Sequence, residues 1–181
     1  MTALKSRLAA MAALVSLSGL AACATPSQPM SMASPIAGNV AVSQGDVGYR
    51  SVTAVNVTGG RDTNPLWTSQ VSDEAFRTAL ETSLGEAGYL GAEGRQMTVT
   101  ASMARLEQPL FGLDMSVTSR VHYTVTQQGW PVFDETITAS GSASPGDALV
   151  GTERLRLANE ASMQANIRQF LVRMRVHALM Q

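Results

Sequence analysis

The sequence contains few of the residues that enzymes use for chemistry. Its 181 residues include one cysteine, one lysine and two histidines, and aromatic residues make up only 5%. A single cysteine excludes an intramolecular disulfide. The formal net charge of −1 provides no basic excess to neutralise phosphates, so nucleic acid is not an expected partner. These shortages direct the search for function away from catalysis and nucleic-acid binding.

The motifs that usually carry catalysis are absent as well. The sequence has no P-loop, no G-x-G-x-x-G turn and no G-x-S-x-G nucleophile elbow. Neither His122 nor His177 has a second histidine or a carboxylate at the spacing of a metal site. Asp134 and Glu135 adjoin, but consecutive strand residues point to opposite faces and cannot act as a pair. We therefore predict that the protein is not an enzyme and has no catalytic residues, metal site or cofactor.

The amino-terminal residues have the pattern of a secretory signal. Lys5 and Arg7 are followed by an uncharged apolar stretch over residues 8–22. This stretch fits a signal and is short for a bilayer span, which needs about 20 residues. It ends in the residues Leu20, Ala21, Ala22 and Cys23.

These four residues resemble the lipobox of bacterial lipoproteins. In that family the cysteine is diacylated, the signal is cut before it, and the new amino terminus is acylated, which gives stable membrane anchoring. The resemblance implies that residues 1–22 are a signal peptide and that Cys23 is lipidated. Ala24 stands where an aspartate indicates inner-membrane retention, so we expect an outer-membrane anchor that faces the periplasm. The alternative is ordinary signal cleavage after Ala24, because Ala22-Cys23-Ala24 also has a small-x-small pattern.

Residues 23–48 have the composition of a flexible linker. Pro26, Pro29 and Pro35 interrupt a stretch without aromatic residues, in which Asp46 is the one charged residue. Such a stretch buries little apolar surface, and about 24 residues of coil span roughly 25–30 Å. We predict a lipidated spacer that holds a single domain, residues 49–181, clear of the membrane.

Hydrophobic periodicity predicts that this domain is α+β, with the order β-α-β-β-β-α. Four segments have the pattern of strands, namely residues 49–58, 96–106, 113–127 and 130–140. Helical spacing over about 73–87 and 150–178 predicts two helices. Since the strands have one polar and one apolar face, we expect an antiparallel four-stranded sheet with both helices on one face.

Local signals mark several boundaries of these elements. Ser72 is the predicted cap of the first helix, and Gly88 is its predicted left-handed end. Gln128-Gly129 is a predicted hairpin turn. The residues 141–146 are rich in glycine and serine, so we expect them to separate the last strand from the last helix.

Three features are candidate partner contacts. Arg156 and Glu160, four residues apart on the last helix, form either a stabilising ion pair or a polar contact for a partner. Leu110 and Phe111, between the second and third strands, either cap the core or form a hydrophobic tip for lipid or protein. Residues 150–181 contain five arginines and two acids, which either pair within the fold or present a basic face.

The order of elements resembles two groups of small outer-membrane lipoproteins. One is the YajG-like group, and the other is the LptE-like group, the lipoprotein that plugs the lipopolysaccharide-assembly barrel. Their helix pattern, F-x-x-x-L…L-x-x-A-G-Y, is matched here by Phe76, Leu80, Leu84, Ala87, Gly88 and Tyr89. The second resemblance implies an α/β wedge that binds a β-barrel partner and lipopolysaccharide.

The sequence supports one leading functional hypothesis and two others. The first is a lipid-anchored, non-enzymatic, periplasm-facing module for the interaction or assembly of an envelope protein partner. The alternative is a carrier of a lipid or another apolar ligand between helices and sheet, because ten methionines suit an adaptable pocket. The third is an enzyme, which requires His122 to lie beside a carboxylate and a hydroxyl in one cleft.

Overall fold

A computed structural model describes residues 23–36, 39–66, 68–109 and 112–179. Within these residues the chain forms four strands and three helices. In chain order they are α1 (Pro29–Met32), β1 (Val52–Thr58), α2 (Asp73–Glu86), β2 (Met97–Glu107), β3 (Met115–Gln127), β4 (Trp130–Ala143) and α3 (Gly151–Leu179). The predicted α+β class and the order β-α-β-β-β-α are confirmed, and the short α1 precedes them.

The four strands form one sheet in the order β1-β2-β3-β4. The pairs β2–β3 and β3–β4 are antiparallel, but β1 is parallel to β2, with Val55 opposite Val99. The sheet is therefore mixed, where we expected a fully antiparallel one. The reason is that α2 connects β1 to β2 as a crossover, which returns the chain to the end of the sheet where β1 began.

The core lies between one face of the sheet and the helices. The apolar side of β3 is buried as its alternation predicts. The apolar residues spaced along one side of α3 are buried too, namely Met163, Ile167, Phe170, Leu171 and Met174. The rings of Tyr123 and Phe170 stack across this layer, with centroids 4.2 Å apart. The Tyr123 hydroxyl donates to Asn166 Oδ1 at 3.0 Å, and Asn166 Nδ2 donates to the carbonyl of Ile137 at 3.1 Å. The buried polar groups at this contact are thus hydrogen-bonded to each other.

The predicted turns and caps are confirmed. Ser72 Oγ accepts a hydrogen bond from the backbone N–H of Ala75 at 3.2 Å, which caps α2. Gly88 has φ 85° at the end of this helix, and Gln128 and Gly129 have φ 52° and 86° in the hairpin. Positive φ at both turn residues matches the right-handed twist of the flanking strands.

The predicted break at residues 141–146 is wrong in its first residues, because β4 continues to Ala143. Gly141 lies inside the strand, directly beneath α3. A Cβ at Gly141 would lie 2.6 Å from the carbonyl carbon of Ala161. The glycine therefore permits close contact between helix and sheet rather than ending the strand.

The predicted flexible linker is packed against the domain over its described residues. Met32, Val40 and Val42 are buried and belong to the main hydrophobic core. The backbone N–H of Val42 donates to the carbonyl of Ala87 at 2.8 Å. Helix α1 lies against both α2 and α3. This corrects the expectation of a flexible spacer. The few apolar residues of the segment are buried because they pack against surfaces that the rest of the domain provides.

No helix in the described part of the chain combines the length and apolar content needed to cross a bilayer.

Candidate functional site at the residue-23 end

Residue 23 lies at one end of the sheet and is held there by its neighbour. Cys23 is exposed and has a free thiol in the structure. Ala24 is buried, and its backbone N–H donates to the carbonyl of Pro65 at 2.7 Å. Pro65 belongs to the connection between β1 and α2. The candidate lipidation site is therefore one residue away from a fixed point on the domain.

The following residues run between that connection and the first turns of α3. The Ser69 hydroxyl donates to the carbonyl of Thr25 at 2.7 Å. The backbone N–H of Gln28 donates to Oε1 of Glu160 at 2.7 Å. The segment over residues 24–28 is thus hydrogen-bonded on both sides, to a loop and to a helix.

The predicted candidate contact pair, Arg156 and Glu160, lies on the part of α3 that binds this segment. Arg156 donates to Glu160 and also to Glu153, one turn earlier on α3. The hydrogen bonds from Arg156 lower the pKa of Glu153, and those to Glu153 raise the pKa of Arg156. Because Glu160 is buried, the guanidinium compensates a charge that would otherwise be costly. In this structure the pair binds the chain's own amino-terminal segment.

A second polar cluster at Ser69 joins two connections and α3. Gln108 Nε2 donates to the Ser69 carbonyl at 2.9 Å and to Asn159 Oδ1 at 2.8 Å. Asn159 Nδ2 donates to the same carbonyl at 3.1 Å and is fully buried. Sequence patterns did not identify Gln108 or Asn159. The one sequence feature that could have indicated Asn159 is its position as a polar residue within an alanine-rich helical stretch.

Three connections meet at this end of the sheet. They are the β1–α2, β2–β3 and β4–α3 connections, because β1 and β2 end here, and Met115 of β3 pairs with Ala143 of β4. We call this the residue-23 end. The predicted candidate contacts Leu110 and Phe111 belong to the β2–β3 connection but lie outside the described residues.

The β4–α3 connection is held in place by hydrogen bonds. Asp147 Oδ2 accepts from the backbone N–H of Ser144 at 2.7 Å and from its hydroxyl at 2.8 Å, and these bonds lower the pKa of Asp147. Buried Arg154 donates through Nη1 to the carbonyls of Ala148 and Leu149, at 2.9 and 2.8 Å. The loop before α3 is therefore fixed by two charged side chains.

Most of the arginines on the last helix form ion pairs with acids of the same chain. Arg173 contacts Glu135 at 2.6 Å, and Arg175 contacts Asp46 at 3.2 Å. Together with Arg156, three of the five arginines in residues 150–181 contact acids of the same chain. Arg173 and Arg175 thus pair with acids outside α3, whereas Arg156 pairs with two acids of the helix itself.

The structure brings His122 close to a carboxylate and hydroxyls, but on the open face of the sheet. Its Nδ1 lies 3.1 Å from the Thr136 hydroxyl, and its Nε2 lies 3.6 Å from Asp134 Oδ1. Both His122 and Asp134 are substantially exposed, whereas the enzyme hypothesis requires a cleft. Glu135 points to the other face, towards α3, as the alternation of strand residues predicts. Water reaches this cluster freely, which weakens electrostatic catalysis there.

The layer between helices and sheet is filled by side chains. A cavity of about 40 Å³ lies there, lined in part by Tyr89, Met97, Phe133 and Met174. Pockets for small molecules usually measure about 300–1,000 Å³, so this cavity does not accommodate an acyl chain. Among the described residues no group of three or more histidine, cysteine, aspartate or glutamate side chains is arranged to hold a metal ion.

The fold is shared with solved structures of low sequence identity. No protein-family model matches the chain, and no curated protein sequence matches it. A Xanthomonas campestris protein of the DUF330 family has a TM-score of 0.54 at 10% identity, over 72% of this chain and 86% of its own. A candidate lipoprotein from Caulobacter crescentus has a TM-score of 0.51 at 13% identity, over 74% and 95% of the two chains.

A third protein of the same fold is a hypothetical protein from Chlamydia trachomatis. Its TM-score is 0.50 at 12% identity, over 73% of this chain and 99% of its own. These likenesses show a shared fold, and they include a protein described as a candidate lipoprotein. The narrower resemblances to YajG-like and LptE-like proteins remain expectations from the sequence.

Proposed function

We propose that this protein is a lipid-anchored, non-enzymatic envelope protein that faces the periplasm at the outer membrane. In this proposal it is an interaction or assembly module for an envelope protein partner. The observation that carries the proposal is the position of Cys23. It follows Leu20, Ala21 and Ala22 in the sequence, and it is exposed directly beside a buried, hydrogen-bonded segment. A lipid on this residue would fasten the folded domain itself to a membrane.

The chemistry of the described residues supports a binding role rather than catalysis. The His122 cluster is open to water, and the acids of the last helix are occupied in ion pairs. The interior cavity is about the size of a water molecule. Among the described residues, the cavity between helices and sheet is too small for the lipid that the carrier hypothesis places there.

The anchor is tested by mass spectrometry of the native protein from membranes. We expect the amino-terminal peptide to begin at Cys23 and to carry acyl chains. The variant Cys23→Ser is expected to lack the acyl chains and to keep an unchanged thermal midpoint, because the side chain is exposed. A native protein that is soluble and unmodified at Cys23 would overturn the proposal.

The partner role is tested by photo-crosslinking in intact cells. A crosslinking amino acid at Arg120 samples the open face of the sheet, and one at Glu86 samples the helical side. We expect one of these positions to give a reproducible adduct with an envelope protein, and the adduct to weaken in the Cys23→Ser background. If neither position gives an adduct above the ultraviolet-free control, the module hypothesis is wrong.

A further inference from the structure

A lipid on Cys23 would have almost no freedom relative to the domain. The backbone N–H of Ala24 is bound to Pro65, and one extended residue spans at most about 3.6 Å. The first 22 residues of the sequence, cleaved or not, also join the domain at this point. Whatever membrane the amino terminus enters must therefore lie against the residue-23 end.

Exposed leucines project from each of the three connections at this end. Leu66, Leu113 and Leu149 are 74%, 75% and 91% exposed. Single exposed apolar residues are ordinary on soluble proteins. Here, however, three come from separate loops that surround the attachment point of the amino-terminal segment.

Short contacts bring these three connections together. Leu66 follows Pro65, which binds Ala24. The Thr25 hydroxyl lies 3.5 Å from Glu153 in the first turn of α3, just after Leu149. A Cβ at Gly151 would lie 3.8 Å from the terminal methyl of Met115, two residues after Leu113. The leucines thus lie around one end of the molecule rather than on unrelated surfaces.

Two of the leucines are displayed by hydrogen-bonded loops. The backbone N–H of Leu66 donates to Asn64 Oδ1 at 3.0 Å, in a turn closed by a bond from Thr68 to Asn64. The carbonyl of Leu149 is held by Arg154. Fixed loops lose little conformational freedom on binding, so they are suited to insert an apolar side chain into another phase.

The charges at this end do not favour attraction to acidic lipids. Arg105 pairs with Glu107 at 3.2 Å, and Asp147 is bound to its own loop. The exposed Asp114 adjoins Leu113. With no basic excess, contact with a bilayer would depend on apolar insertion rather than on lipid charge.

We infer that the residue-23 end rests on the lipid bilayer, with Leu66, Leu113 and Leu149 inserted at the level of the headgroups. The inference rests on the proposed lipid anchor, and it adds an orientation: the domain sits directly on the membrane. The strands then point away from the bilayer, and the hairpin at Gln128-Gly129 lies at the opposite end of the sheet.

The test uses the full-length, lipidated protein in vesicles of phosphatidylethanolamine and phosphatidylglycerol. The variants Leu66→Cys, Leu113→Cys and Leu149→Cys, each with one reactive thiol beside the acylated Cys23, carry an environment-sensitive fluorophore. Trp130→Cys is the matched control, because Trp130 is 78% exposed at the opposite end. The unlabelled thiol of the wild-type chain is blocked when Cys23 is acylated, so wild type serves as the blank.

We expect a blue shift and quenching by shallow spin-labelled lipids at the three leucine positions, and neither at Trp130→Cys. The signal should not increase with the phosphatidylglycerol fraction. If the protein stays on the vesicles while all three positions report water, the inference is wrong and the anchor stands. If the protein does not stay on the vesicles, the anchor fails and the inference fails with it. If these positions are protected from water in native membranes but not in the vesicles, the inference is wrong, and a protein partner rather than the bilayer covers this end.

Discussion

The backbone N–H of Gln28 donates a 2.7 Å hydrogen bond to Glu160, a carboxylate that is buried on α3. Arg156 neutralises the same carboxylate from the preceding turn of α3. One side chain thus links the amino-terminal segment to the ion pairs of the last helix. The position of residue 23 relative to the domain depends on this link and on the bond from Ala24 to Pro65.

The substitution Glu160→Ala is expected to destabilise the protein by about 1–3 kcal/mol, because it removes the buried carboxylate that accepts from both the Gln28 N–H and Arg156. Glu160→Gln keeps an acceptor and should cost less. The control Glu86→Ala, at an exposed site on α2, should change stability by no more than about 0.5 kcal/mol. Urea denaturation monitored by circular dichroism measures all three. Equal effects at positions 160 and 86 would show that the segment is not held at Gln28.

A second prediction concerns two methionines of α1. Met32 is fully buried and Met30 is 67% exposed. Met32→Ala is expected to cost about 2–5 kcal/mol through the cavity it creates, and Met30→Ala to be nearly neutral. Both substitutions replace a methionine of α1 with alanine, so the difference between their effects on stability measures the packing of Met32. If both variants unfold at the wild-type urea concentration, residues 23–48 are the flexible linker that their composition indicates.

These methionines also show where sequence patterns fail. In β3 the alternation of polar and apolar residues is strong, since one face packs and the other meets water, and the structure follows it. Met32, Val40 and Val42 have no such periodicity, because their burial depends on a groove formed by distant helices. Composition indicates how much apolar surface a segment can bury by itself. Here the segment is buried against apolar surface that the rest of the domain contributes.

Local sequence patterns also do not specify the direction of a strand or which loops meet at one end of the sheet. Alternation in β1 predicts a strand, but only the crossover through α2 makes it parallel to β2. The site at residue 23 was predicted from its motif, and Arg156 and Glu160 from their spacing. The roles of Asn159 and Leu149 depend on which loops meet at one end of the sheet, and no local pattern specifies that.

The third prediction tests the close contact of α3 with β4. A Cβ at Gly141 would lie 2.6 Å from the backbone of Ala161, so Gly141→Ala must displace the helix. We expect a loss of about 1–3 kcal/mol from overpacking. The control Gly146→Ala meets only the Ser144 hydroxyl, at 3.5 Å. Thermal unfolding that shows the same midpoint for both variants would mean that the helix lies farther from the strand.

The last prediction is a loss of stability at high pH that depends on Tyr89. Burial raises the pKa of Tyr89 to about 12, whereas an unfolded tyrosine has a pKa near 10. Between these values the unfolded chain releases the proton and the folded chain keeps it, so stability falls as pH rises from about 10 to about 12. Tyr89→Phe keeps the ring and cannot ionise, and it should lose less stability over this range.

Tyr123 is the matched comparison for Tyr89 at neutral pH. The Tyr89 hydroxyl has no hydrogen-bond partner among the described residues, so Tyr89→Phe should be nearly neutral at pH 7. The Tyr123 hydroxyl donates to Asn166, and Tyr123→Phe should cost about 1–3 kcal/mol by leaving a buried acceptor unpaired. Urea denaturation at pH 7 and between pH 10 and 12 separates the two effects. A Tyr89→Phe curve that falls as steeply as wild type would contradict the assignment, because another group would then govern the alkaline loss.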